Sequence, residues 1–257
     1  MTTTLPAPEP TMAAVITAYR TYLSGVLDTI SSQALTLKAS IGNNDLDAAR
    51  TQWLATQLSW QRVGAAYGSF GKLGEAINGL PAGLPKGAAD PAFTGLHRIE
   101  YGLFHGQGPA ELVAITAALH DNVTSLHAEL PTLDIAGMDM AIRSHEILED
   151  SLRDNLSGHN DQGSGMALAL TFADLDGTRV VLALMRTVVD GLHPGYTATV
   201  SATLDRLGTA LNATKLDGTW PVWDTLPLPD RQTVTGAIGA SLEALAYIPA
   251  LFSTDDD

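Results

Sequence analysis

DPAFTGLHRIEYGLFHG, residues 90–106, is the stretch on which the reading of this chain turns. Asp90 is a favourable N-cap and Pro91 a favourable first helical residue, so the pattern predicts a helix beginning at Asp90. At about 3.6 residues per turn, Phe93, Leu96, His97, Glu100, Leu103 and Phe104 fall on one face. Gly95, Arg98 and Gly102 fall on the other. A histidine and a glutamate therefore sit inside an apolar stripe and point towards the core. A buried carboxylate without a partner costs several kcal/mol, so something must compensate Glu100. Two readings follow. His97 and Glu100 either satisfy each other as an ordinary core pair, or they share a cation, because residues three apart lie on adjacent turns and can reach one ion.

Outside this stretch the pattern is almost wholly helical. Apolar positions Val15, Ile16, Tyr19, Leu23, Val26, Leu27, Ile30 and Leu37 predict a long first helix over 11–41. A second is expected over 45–70, with Trp53 and Trp60 one heptad apart. The Gly/Pro-rich run 71–89 reads as a non-helical connection, and a loop of that length inside a domain is often functional. Further helices are expected over 109–130, 137–156, 166–192, 194–213 and 230–251. The fold class is thus all-α, with two packed antiparallel four-helix bundles. Residues 11–252 would form one domain, its halves covering about 11–133 and 134–252. Residues 1–10 read as a disordered linker and 253–257 as an acidic tail.

Composition narrows the function. Hydrophobic residues make up 45% of the 257 and charged residues 16%, so the chain can bury a sizeable core. The net charge of −14 argues against nucleic acid or an anionic membrane as partner. The longest apolar run, near 180–189, contains Arg186 and falls short of a membrane span. The chain has no cysteine, which removes disulfides, thiolate ligands and a cysteine nucleophile. No signal peptide precedes the polar start, which suits either a cytoplasmic protein or an exported one shown without its leader. Patterns of the G-x-S-x-G, H-E-x-x-H, P-loop and dinucleotide kinds are missing.

A second polar pair occupies the 137–156 segment, where Met138, Ile142, His145, Leu148, Glu149, Leu152 and Leu156 share a predicted face. His145 and Glu149 lie at i, i+4, as an edge ion pair or as ligands completing a site against the His97 helix. His120 and His127 share a face of the 109–130 helix beside solvated acids. His159 lies in the polar break GHNDQGSG, which either binds something or simply turns. Trp220 and Trp223 suit a sugar-stacking platform or a staple at a bundle end.

The segment D-P-A-F-T-G-L-H-R-I-E resembles the imelysin-like family, in particular its EfeO/EfeM branch of bacterial iron-uptake proteins. DLDAARTQW and WQRVGAAYGSFG resemble what precedes the motif there. The resemblance implies an all-helical double bundle, a periplasmic or cell-surface location, and a metal site around His97 and Glu100. It further implies hand-off of the ion to a membrane permease, iron foremost, with zinc or copper also compatible with a nitrogen and oxygen set. The chain departs from the family where Gly64 and Ala167 replace acidic residues. Gln61, His145, Glu149 and Asp174 are candidates to make up that deficit. Two other roles stay open: a module that binds a polymer or protein without the metal, and a metallopeptidase. The expected role is non-catalytic binding.

Overall fold

The computed structural model describes residues 11–252, and the linker and tail expected at 1–10 and 253–257 lie outside them. The fold is all-α. Among the described residues there are nine α-helices and no strand, only a single bridge between Leu216 and Thr219.

Helix α1 (Met12–Gly42) is the longest, capped by the Thr11 hydroxyl accepting from Ala14 N. Its buried positions, Val15, Tyr19, Leu23, Leu27, Ile30, Ala34, Leu37 and Ile41, recur every three or four residues as the sequence predicts. Burying each such aliphatic side chain contributes about 1.5–3 kcal/mol, so this stripe anchors the first half of the core. Helices α2 (Leu46–Gln61), α3 (Gly71–Asn78), α4 (Gly95–Phe104) and α5 (Pro109–Glu129) follow. Helix α1 packs on α2 and α5, α4 on α2 and α5, and α3 on α4 and α5. Helices α6 (Gly137–Asp150), α7 (Ala167–Leu192), α8 (Tyr196–Ala213) and α9 (Leu228–Ala250) complete the chain. Helix α6 packs on α7 and α9, and α8 on α7 and α9. Helix α7, apolar on nearly every side, also meets α1 and α2, and so joins the two sets of contacts.

Four local expectations change. Helix α2 stops at Gln61 rather than running to 70, and a 3₁₀ turn (Gly64–Ser69) takes over. The Tyr67 hydroxyl folds back to donate to Trp60 O at 2.9 Å, occupying a carbonyl that a continuing helix would use. The 71–89 run is partly helical: α3 forms because Leu73 and Ile77 face the core. Helix α4 begins at Gly95, five residues after the predicted cap. Asp90 instead closes its own turn, accepting from Ala92 N at 2.9 Å. Gly95 has φ +77°, and a Cβ there would stand 2.2 Å from Ile77 O, so only glycine lets α4 start this close to α3.

The fourth change concerns α6. Its buried residues are Met140, Ala141, Ser144, Ile147 and Leu148. Met138, Ile142 and Leu152 of the predicted stripe are exposed. Ala141 and Ser144 are small, which lets α7, α9 and the 64–69 turn close around that side. After Asp150 the helix widens into a π-turn (Ser151–Asn155), with Leu156 N donating to Ser151 O.

Candidate functional site

Helix α4 is pinned at both ends, which fixes where His97 stands. Thr94 Oγ1 donates to Ala76 O, and the buried Trp53 indole donates to Leu96 O at 2.9 Å. At the other end the Arg50 guanidinium donates to Leu103 O at 3.0 and 3.2 Å, satisfying a carbonyl that the helix leaves open.

His97 and Glu100 are both buried, their side chains only 3% and 2% exposed, as the stripe predicts. His97 Nδ1 lies 3.1 Å from Glu100 Oε2. A carboxylate can only accept, so an ionised Glu100 places the proton on Nδ1 and leaves Nε2 of the neutral ring with a lone pair. No described residue hydrogen-bonds that Nε2. Glu100 is more fully engaged. Its Oε1 accepts from Gln162 N at 3.0 Å and Ser164 N at 3.3 Å.

Asp161 organises the turn that meets Glu100. Its Oδ1 accepts from Gly163 N, Gly165 N and Ser164 Oγ at 3.0–3.3 Å. Partial burial pushes its carboxyl up. The hydrogen bonds from the Gly165 and Gly163 amides and the Ser164 hydroxyl outweigh that and hold it below the usual carboxylate range. The break at 158–165, including His159, is therefore a structured turn docked on α4. His159 itself is exposed.

Beside this pair lies a cavity of about 180 Å³, lined among others by His97, Gln61, Tyr67, Asn78 and Asp174. Asp174, on α7, is buried and takes two hydrogen bonds on Oδ2, from Ser151 Oγ at 2.6 Å and Asn155 Nδ2 at 2.7 Å. Both donors come from the π-turn. Burial pushes the Asp174 carboxyl up to about 8, against those two hydrogen bonds, which favour the ionised form. Its Oδ1 has no hydrogen-bond partner among the described residues. Asn160 secures the arrangement by donating to Asn155 Oδ1 at 2.6 Å. Asp150 and Asp154 also line the cavity, with the exposed Arg153 bridging them at 2.8 and 2.6 Å.

Of the four residues considered as replacements for the acids at Gly64 and Ala167, the structure brings Gln61 and Asp174 to the cavity. Gly64 also lines it, its Cα side closed by Ile147. His145 and Glu149 do not line it; they face each other at 3.6 Å, with Glu149 half exposed. Asp150, Asp154, Asn155 and Asn160 escape sequence reasoning because the first three lie off the predicted apolar face of 137–156 and Asn160 falls in the polar break after it. The i, i+4 spacing of Asp150 and Asp154 was the available signal. Among the described residues no three His, Asp or Glu side chains stand close enough to hold one metal ion directly.

The remaining histidines and tryptophans lie elsewhere. His120 faces Asp121 on the surface. His127 contacts Ser24 Oγ through Nε2 at 2.7 Å and Asp28 through Nδ1 at 3.3 Å, on the outer side of α1 and α5. Ser24 is mid-helix, where backbone N–H groups are spent on the helical ladder and cannot form an oxyanion hole. Trp220 donates to Leu211 O at 3.0 Å and packs on Phe172, with the Lys215 ammonium 3.9 Å from a ring centroid. It staples α8 to α7.

Comparison with known proteins agrees with this architecture. The chain is 23% identical over 244 residues to the iron uptake system component EfeO of Escherichia coli K12, and to those of Shigella boydii and Shigella flexneri. The alignments cover 95% of this chain and 65% of each relative, so the chain spans under two thirds of their length. No described helix is long and apolar enough to cross a membrane. Residues 15–247 match the family model described as Imelysin, a peptidase family by designation, and the chain belongs to the imelysin family.

Proposed function

We propose that this protein is a binding component of an iron-uptake system, working in the periplasm or at the cell surface. It takes up a metal cation as cargo at the His97–Glu100 site and passes it to a membrane permease. One observation carries the reading: a buried His97 ring, oriented by Glu100, offers an unpartnered nitrogen to a polar cavity. A carboxylate holding one imidazole nitrogen while the other faces a cation is the usual way a histidine ligand is fixed and made more basic. The names of the EfeO relatives supply iron as the foremost cargo. Zinc or copper suits the same nitrogen and oxygen groups.

The role is non-catalytic. A catalytic zinc site needs about three protein ligands and an open position, and the side chains around His97 offer no such set. The same shortage of direct ligands favours a second reading, in which the cavity is vestigial and the fold binds a polymer or a protein.

Calorimetric titration with Fe²⁺ under anaerobic conditions, and with Zn²⁺ and Cu²⁺, tests the first reading. Wild type is expected to bind one ion, with His97→Ala and Glu100→Ala each losing at least tenfold in affinity. Equal binding by wild type and the double variant sinks the site. Absence of binding by wild type leaves the polymer or protein reading.

A further inference from the structure

A second pocket, of about 350 Å³, lies between α4, α5 and the turn over 88–94, and shares no lining residue with the His97 cavity. Its size falls within the range of about 300–1,000 Å³ that suits small organic ligands. Ala88, Pro91, Phe93 and Ile115 give it apolar walls, and Arg98, Tyr101 and Gln107 give it donors. Arg98 follows His97 directly on α4, so the helix turns the two side chains about 100° apart.

Arg98 differs from the other arginines of this acidic chain. Seven of the ten pair with a carboxylate. Arg20 is spent on the Leu130 and Leu133 carbonyls, and Arg206 is exposed. Arg98 is half-buried and pairs with no carboxylate among the described residues. Its Nη1 donates to Gln107 Oε1 at 2.7 Å, and its guanidinium carbon lies 5.9 Å from the Tyr101 ring centroid. These contacts hold the group in place, and its Nε–Nη2 edge donates to no described residue. Two parallel N–H donors on one rigid edge match the two oxygens of a carboxylate. Gly102 leaves room for this arrangement, since a Cβ there would stand 2.8 Å from Gln107 Oε1 and 3.2 Å from Arg98 Nη1. Partial burial, countered by Tyr101 and Glu111, lowers the guanidinium from its ordinary value, so an anion at its open edge is favoured. Asp90, the acid that lines the pocket, has its oxygens on the amides of Ala92 and Lys86 at 2.9 and 3.2 Å. It repels a ligand that carries several negative charges and so selects a monoanion.

We propose that this pocket binds a small monocarboxylic acid with an apolar body, its carboxylate on the Nε–Nη2 edge of Arg98 and its body against Pro91, Phe93 and Ile115. Gln107 acts as a positioning residue, fixing the opposite edge of the guanidinium. The site goes beyond the cation-binding reading above and stands whether or not His97 and Glu100 hold an ion.

The probe is 3-phenylpropionate, a carboxylate on a short aromatic body. Titrated calorimetrically at about 150 mM salt, where exposed charges are screened, it is expected to bind wild type at one site. Arg98→Lys keeps the charge but loses the fork and should weaken binding about fivefold, and Arg98→Met about tenfold or more. Ala89→Phe places a ring in the pocket from its exposed turn, leaves Arg98 intact, and should also weaken binding about tenfold. This variant carries the test if Arg98→Met does not fold. Arg206→Met removes an exposed charge elsewhere and should leave binding unchanged. No binding by wild type overturns the proposal, as does equal binding by wild type and a folded Arg98→Met. Inorganic phosphate binding as tightly as 3-phenylpropionate shows a bare anion site and overturns the apolar half of the assignment. Equal binding of 3-phenylpropanol shows an apolar cleft that ignores the carboxylate and overturns the other half.

Discussion

Helices α4 and α6 each carry a histidine followed within about one turn by a glutamate inside a predicted apolar stripe, yet the pairs end in opposite environments. His97 and Glu100 are sealed in the core, whereas His145 and Glu149 lie at the surface, with Glu149 half exposed. The difference is not in the pairs but in what surrounds their helices. Helix α4 is packed by α2, α3 and α5, so even Gly95 and Gly102 on its other side are buried. Helix α6 turns Met140, Ala141, Ser144, Ile147 and Leu148 inward and leaves Met138 and Ile142 to solvent. Periodicity gives a stripe; the elements that pack around the helix decide which way the stripe faces.

The largest test of this contrast removes the two glutamates in turn. Glu100→Ala strands a buried imidazole and two buried amides and should cost about 3–5 kcal/mol, whereas Glu149→Ala should cost less than about 0.5 kcal/mol. Urea unfolding at pH 7 reads both, and equal losses would break the comparison.

The next effect depends on pH. The Asp174 carboxyl rises from 3.8 to about 8 on folding, so the folded chain holds a proton that the unfolded chain releases. Stability contributed by the protonated form is complete below 3.8 and is lost as pH rises towards 8. Between those limits one bound proton changes stability by at most about 1.4 kcal/mol for each step of one in pH. Stability in urea should therefore fall by a few kcal/mol across that range. Asp174→Asn should flatten the slope, and a slope unchanged in this variant would assign it elsewhere.

A smaller loss is expected at Gly64, where a Cβ would stand 3.0 Å from Ile147 Cγ1. Gly64→Ala should cost about 1–2 kcal/mol in the same urea titration unless Ile147 shifts, as for other overpacked core positions. Smallest of all is His145→Ala, expected within about 0.5 kcal/mol of wild type and without effect on cation titration. A measurable loss of cation binding there would return α6 to the site.

Much of this fold is legible along the chain. The α1 stripe, the central α7 and the burial of His97 and Glu100 follow from helical periodicity alone. What resists reading is set by contacts between distant segments. Asp90 and Pro91 are good start signals, but the approach of Gly95 to Ile77 O delays the helix. Within the candidate site, the two α4 residues are visible because polar side chains in an apolar stripe violate an expectation. Asp174 is less so, since its two donors arrive from a π-turn that no propensity predicts. Asn78 is invisible, because the run that carries it reads as a loop.

The π-turn has a consequence for insertion and deletion. It accommodates one residue more than an α-helical turn, so removing any single residue from 151–155 would restore ordinary helical register. Asn155 would then follow Ser151 by three positions instead of four. Ser151 and Asn155 would then present a different spacing to Asp174, even where the deletion spares both of them. The cavity is thus more exposed to a change of one in chain length than to most changes of residue type.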